Sequence, residues 1–185
     1  MTIETKDGMS PMRALKTLLV LSLSAAGAMT FAASADATTR IQKTFGNWKV
    51  DCTEAESGKK ACALQYALVT KKDQRLVFSW TIARGGKDNA VNKAVMRTPT
   101  GVLLSDGVNI GFEGADPVKI NYLTCGPNGC VAEFDFTEQW AKALGSNQKL
   151  LVNYKAVNEK PLKHEVDLKQ FGEAFKFYQS QSDAK

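Results

Sequence analysis

Among its 185 residues the sequence has a single histidine, His164, and no HxxxH or CxxC spacing. A metal site built on one histidine needs carboxylates brought in from elsewhere, and no ligand spacing marks where they would come from. A Ser–His–Asp triad stays open on sequence alone, but no G-x-S-x-G elbow accompanies His164. In the polar stretch PLKHEVDL it reads as an exposed surface residue. Gly107, Gly111 and Gly114 in GVNIGFEG do not make a dinucleotide fingerprint, because no strand–turn–helix follows them. Neither a cofactor nor a metal is indicated. No apolar run reaches the roughly 20 residues that a membrane-spanning helix needs. Basic blocks are absent too: Lys59-Lys60 and Lys71-Lys72 are the only adjacent pairs, each beside a turn, and they read as solvated loop ends. Nucleic acid is therefore not an expected partner. Internal repeats and linkers are also missing.

What is present begins with an export signal. Arg13 and Lys16 precede TLLVLSLSAAGAM (Thr17 to Met29), an uncharged apolar stretch of secretory length, and Ala33-Ser34-Ala35 then fits a signal-peptidase site. Cleavage is expected after Ala35 or Ala37. The acidic Glu4 and Asp7 suit such a leader poorly, which leaves Met1, Met9 and Met12 as alternative starts. The full sequence carries 24 Lys and Arg against 19 Asp and Glu, a net charge of +5; setting aside residues 1–35 removes three basic and two acidic residues and leaves +4. Residues 36–185 are enough for one domain with its own core.

Four cysteines in an exported chain are expected to form disulfides. Cys-Gly-Pro in TCGPNGC invites a thioredoxin-type reading, but a redox CxxC works because its first cysteine caps a helix whose N-terminus stabilises the thiolate. Here four residues separate Cys125 from Cys130, and VAEFDF follows with the alternation of a strand. Gly126-Pro127-Asn128-Gly129 reads as a hairpin loop, with Pro127 presetting φ and Gly129 free to take φ > 0. Trp48, Val50 and Cys52 alternate before the polar TEAESGKKA, and Cys62, Leu64, Tyr66 and Leu68 alternate after it. Of the three connectivities, Cys52–Cys62 with Cys125–Cys130 has the best support, as two hairpin staples.

Further strands are expected at Leu76–Ile82, Val91–Thr98 and Lys149–Val157. Val102–Leu104 and Val108–Phe112 read as a pair joined by the Ser105-Asp106-Gly107 turn, and VKINYLT as the strand before Cys125. Thr137 can cap a helix over TEQWAKAL. Asp167 can cap a second over LKQFGEAFKFY, whose Leu168, Phe171, Phe175 and Tyr178 make one apolar stripe. The fold class is mostly β: an antiparallel sandwich or flattened barrel with two short helices, one C-terminal. Glu133 and Asp135 share the strand face opposite Phe134 and Phe136 and read as solvent-side residues, not as a catalytic pair. Trp48 and Trp80 fall on apolar phases and read as core. Trp140 is the least constrained tryptophan and the candidate contact residue.

Several segments together resemble the invasion-associated locus B family. Phe45-Gly46-Asn47-Trp48-Lys49-Val50-Asp51-Cys52 is similar to its F-G-D-W-x-V-x-C opening, and Cys62-Ala63-Leu64-Gln65 to its second cysteine and following glutamine. Pro99-Thr100-Gly101-Val102-Leu103-Leu104 with Gly107-Val108 is similar to its P-x-G-V-x-L…G-V segment. Tyr122, Cys125, Gly129, Cys130 and Ala132 match Y-x-x-C…G-C-x-A, and Phe171 and Ala174 sit where the family has a G-F-x-x-A helix. Asn47 replaces the usual aspartate, and Gln170 stands where a glycine is common. The resemblance implies an exported, disulfide-bearing protein of Gram-negative bacteria, linked in pathogens to host-cell entry and found in free-living bacteria as well. It offers no catalytic residues to carry over. The expected function is that of a non-enzymatic periplasmic or secreted protein acting through protein or cell-surface contacts. The alternative is a periplasmic envelope-maintenance or stress-tolerance protein with no host partner.

Overall fold

Trp48, Val50 and Cys52 are buried while Lys49, Asp51 and Thr53 face the other side, and this alternation recurs through the chain. In the computed structural model, which describes residues 39–85 and 91–183, it sorts the side chains of eleven strands. The expected leader, its cleavage site and the alternative starts lie outside the described residues.

Five strands follow in antiparallel meander: β1 (Thr39–Phe45), β2 (Trp48–Glu54), β3 (Lys60–Val69), β4 (Leu76–Gly85) and β5 (Val91–Thr98). After β6 (Val108–Gly111) and β7 (Val118–Ile120) come β8 (Tyr122–Gly126) and β9 (Gly129–Asp135). Helix α1 (Glu138–Ser146), β10 (Lys149–Lys155), β11 (Pro161–Asp167) and helix α2 (Phe171–Ser182) complete the order. Seven strands form one sheet, β1-β2-β3-β4-β5-β9-β8, and four form a second, β11-β10-β6-β7. Neither sheet closes, so the architecture is sandwich-like and the barrel alternative falls away.

The inner face of the larger sheet is an aromatic layer. Trp48 meets Tyr66, Trp80 and Phe171 at centroid distances of 5.1, 6.2 and 5.0 Å, and Trp80 meets Phe136 edge-on at 6.4 Å. Phe175 of α2 lies 5.6 Å from Phe136 and stacks on Phe171. Contacts of this kind are each worth about 0.5–1.5 kcal/mol beyond the area they bury. The smaller sheet contributes Val108, Ile110, Leu150, Val152 and Val166, all fully buried. Two hydrogen bonds tie it to the larger sheet: Tyr154 Oη donates to the Val77 carbonyl at 2.8 Å, and Trp48 Nε1 donates to the Asp167 carbonyl at 3.1 Å.

Both expected disulfides form, each between directly paired residues of neighbouring strands. The second hairpin is tighter than a four-residue loop. Gly126 pairs with Gly129, leaving Pro127 and Asn128 as the turn. Gly129 has φ +115°, and a Cβ there would lie 2.2 Å from the Thr98 carbonyl oxygen, so only glycine fits.

Four other expectations need correction. Val102–Leu104 and Val108–Phe112 do not pair with each other. Val102 makes only an isolated bridge to Ala156, Leu104–Asp106 is a single 3-10 turn, and β6 pairs with β7 and β10 instead. Lys155 holds that turn, its backbone carbonyl accepting from Leu103 N and its ammonium pairing with Asp106 at 2.7 Å. The stretch VKINYLT is two strands in different sheets, because the chain crosses between layers at Asn121. His164 is not an exposed surface residue: PLKHEVDL contains β11, paired along its length with β10, and His164 is half-buried in it. Helix α2 starts at Phe171, not after Asp167. Asp167 Oδ1 accepts from Lys169 N at 2.9 Å in a turn before the helix, and the N-cap is Gln170 at φ +61°. The helix stripe itself is as expected, with Phe171, Phe175 and Tyr178 buried.

Candidate functional site

Polar chemistry on the larger sheet collects on its outer face, over which the described residues form no second layer. The register places Asp51, Ala63, Ala83, Lys93 and Asp135 in one row across five strands. Lys49, Gln65, Thr81, Val95 and Glu133 form the next row, and Ala67, Ser79, Arg97 and Val131 a third. On β3 and β4 the face is thus uncharged (alanine, serine, threonine and Gln65), with charge on the strands to either side. On one margin the Arg40 guanidinium donates to Asp51, with Nε at 2.8 Å from Oδ1, and Gln42 Nε2 donates to Oδ2 at 3.1 Å. The Arg40 hydrogen bond is the main reason the Asp51 carboxyl is held down at about 2. On the other margin Lys93 Nζ lies 2.6 Å from Asp135 and 3.4 Å from Glu133. The lysine is shifted upward, first by the hydrogen bond to Asp135. Glu133 and Asp135 therefore share one cation on an open face and are not enclosed in a cleft.

A second site lies between the sheets at one end of the sandwich. A cleft of about 350 Å³ is lined by Thr70, Arg75, Leu76, Val77, Pro99, Tyr154, Leu162 and His164. The His164 and Tyr154 rings lie 5.3 Å apart, and His164 Nε2 is 3.2 Å from Tyr154 Oη. Tyr154 spends its proton on the Val77 carbonyl, so Oη can only accept from His164, which fixes the neutral imidazole with its proton on Nε2. Burial lowers the His164 pKa and pushes that of Tyr154 up to about 12. No carboxylate is hydrogen-bonded to His164 among the described residues, so the relay lacks the acidic partner that would make it a triad.

The other sequence candidates are also placed. Trp48 and Trp80 are fully buried. Trp140, whose backbone N–H is capped by the Thr137 hydroxyl at 3.5 Å, is half-buried with its ring 5.3 Å from Phe134. Among the described residues no group of three or more His, Cys, Asp or Glu could hold a metal ion, and no helix is long and apolar enough to cross a membrane. Sequence reasoning missed His164 as an inter-sheet residue, although Leu162, His164 and Val166 do alternate with Pro161, Lys163 and Glu165. It also missed β1, whose Ile41 and Phe45 carry the same period.

These features define a class: an antiparallel, doubly stapled sandwich with an aromatic interior, a C-terminal helix on its inner layer and one bare sheet face. The family model described as Invasion associated locus B (IalB) protein matches residues 48–179, and the chain belongs to that family. Two Invasion protein B homologs of Brucella abortus, from strain 2308 and from biovar 1 strain 9-941, are each 25% identical over 137 residues, covering 72% of this chain and 76% of theirs. The crystal structure of invasion associated protein B from Bartonella henselae has the same fold, with a TM-score of 0.65 and 24% identity, covering 76% of this chain and 95% of that one.

Proposed function

We propose that this protein is exported through a cleaved leader and that its residues 36–185 act as one non-enzymatic domain, through contact with a protein or a cell surface. The bare face of the seven-stranded sheet carries this reading. Its β3 and β4 positions, Ala63, Gln65, Ala67, Ser79, Thr81 and Ala83, carry no charge, with Arg40 and Asp51 paired on one side and Lys93, Glu133 and Asp135 on the other. Absence of charge along β3 and β4, with ion pairs to either side, is one mark that this face shares with an interface core. Short side chains also lose little rotamer freedom when covered. Trp140 is the aromatic contact residue of the helical layer, offering the part of its ring that Phe134 leaves uncovered. Family membership supports association with host cells as the setting.

The test is protease treatment of intact cells, following the mature chain by antibody with a known periplasmic protein as the protected control. Digestion with the control intact is the expected result. Full protection, with no protein in the medium, would remove the host-contact reading and leave envelope maintenance or stress tolerance in the periplasm.

A further inference from the structure

We propose that the Cys125–Cys130 bond is a thiol-exchange site, at which a low-molecular-weight thiol attacks Cys125 and is captured there as a mixed disulfide. This goes beyond the contact function and does not depend on it.

The inference rests on where the two disulfides lie across the sheet. Exchange requires a thiolate to reach one sulfur from behind, in line with the bond that breaks, so access to that side decides which sulfur reacts. Cys125 and Cys130 are direct partners across β8 and β9, and their bond therefore runs across the strands. β8 is the last strand of its sheet. Behind Cys125 the sheet ends, and Thr124, Cys125, Gly126, Pro127 and Asn128 are all exposed. Behind Cys130, which is 2% exposed, stands its other neighbour, the fully buried Thr98 of β5. Attack is thus open at Cys125 and closed at Cys130.

The other bond is closed at Cys52 and largely buried at Cys62. Cys52 is 1% exposed and has Ile41 of β1 as its outer cross-strand neighbour. Cys62 is 8% exposed, against an exposed Cys125. It sits at the end of the β3–β4 ladder, which begins at Ala63, where it borders the cleft lined by Arg40, Asp51 and Lys60. One of two chemically identical bonds is therefore a staple of the interior and the other an electrophile on the sheet edge.

The step balances without an external oxidant or reductant. The incoming sulfur forms a bond to Cys125 Sγ as the Cys125–Cys130 bond breaks. The electron pair leaves on Cys130 Sγ, which takes a proton from water, so one disulfide is consumed and one is formed. The hairpin has other ties that survive the exchange. The Thr98 hydroxyl lies 3.1 Å from the Tyr122 hydroxyl beneath it, and β8 keeps its ladder to β9.

The test uses the folded, oxidised protein. With dithiothreitol and no denaturant, alkylation and peptide mapping over time should find Cys125 and Cys130 reduced at least tenfold faster than Cys52 and Cys62. Equal rates, or no reduction of either bond before unfolding, would overturn the proposal. The order of attack is read from two variants treated with oxidised glutathione. Cys125 in Cys130→Ser should take the glutathionyl group at least tenfold faster than Cys130 does in Cys125→Ser. Comparable rates in the two variants would show that the sheet edge does not select the sulfur.

Discussion

Gln170 is a residue at which replacing a side chain by none should stabilise the protein. It caps α2 at φ +61° and ψ +7°, the left-handed region, and it has no side-chain hydrogen bond to the helix. Its backbone is held there from both sides, since Phe171 N donates to the Leu168 carbonyl and Ala174 N to the Gln170 carbonyl, each at 3.0 Å. An L-residue in this conformation costs about 1–2 kcal/mol through the clash of Cβ with the backbone. Glycine escapes that cost, and its greater freedom in the unfolded chain takes back about 0.4–1 kcal/mol. Glutamine also touches something: a Cβ built on Gly46 would lie 2.8 Å from Gln170 Oε1, so the amide lies over that glycine, and losing the contact removes a few tenths of a kcal/mol.

The net expectation for Gln170→Gly is a gain of about 0.5 kcal/mol, which for a domain of this size raises Tm by about 1–2 °C. Gln170→Ala separates the causes. It removes the same amide but keeps Cβ, so it should match wild type or fall slightly below it. The assay is urea unfolding of the oxidised protein, with the slope compared between variants to confirm that only the midpoint has moved. If glycine and alanine are equally stable, or glycine is the less stable, the left-handed backbone at Gln170 is not a cost and the reasoning fails. The turn after β11 demands a conformation that glycine adopts freely.

Two other perturbations follow from the links between the sheets. Burial lowers the His164 pKa in the folded state, so the unfolded chain takes up the proton first and stability falls as pH drops below the ordinary histidine value of about 6.5. His164→Phe keeps a ring beside Tyr154 and has no proton to bind. Between pH 7.5 and 5 its urea midpoint should fall less than that of wild type, and parallel slopes would refute the assignment. Trp48→Phe removes the indole N–H that donates to the Asp167 carbonyl at 3.1 Å and leaves a gap in a fully buried site. The expected loss is about 2–3 kcal/mol in the same assay; a loss well under 1 kcal/mol would mean that the carbonyl finds another donor.

The local features of this fold were legible in the sequence because each is decided by neighbours in the chain. The two hairpins, their cysteine pairing, the inward phase of Leu76 to Ile82, the limits of β5 and the Thr137 cap all depend on alternation and turn chemistry within about a dozen residues. What failed needed knowledge of which layer a strand joins. Val102 to Phe112 carries a sound hairpin signal in Ser105-Asp106-Gly107, yet Lys155 binds that turn from a strand some fifty positions away. VKINYLT is rich in β-branched and aromatic residues, and one strand-disfavouring residue, Asn121, does not by itself show that the chain leaves one sheet for the other there. The same limit governs the candidate sites. The bare face is a sum over strands whose alanines look unremarkable one strand at a time, and His164 looked exposed because Lys163 and Glu165 dominate its neighbourhood while its own side chain turns inward to Tyr154. For the cysteines, spacing identified the pairs, but only the strand order separates a bond held between β1 and β4 from one that stands at the open edge of β8.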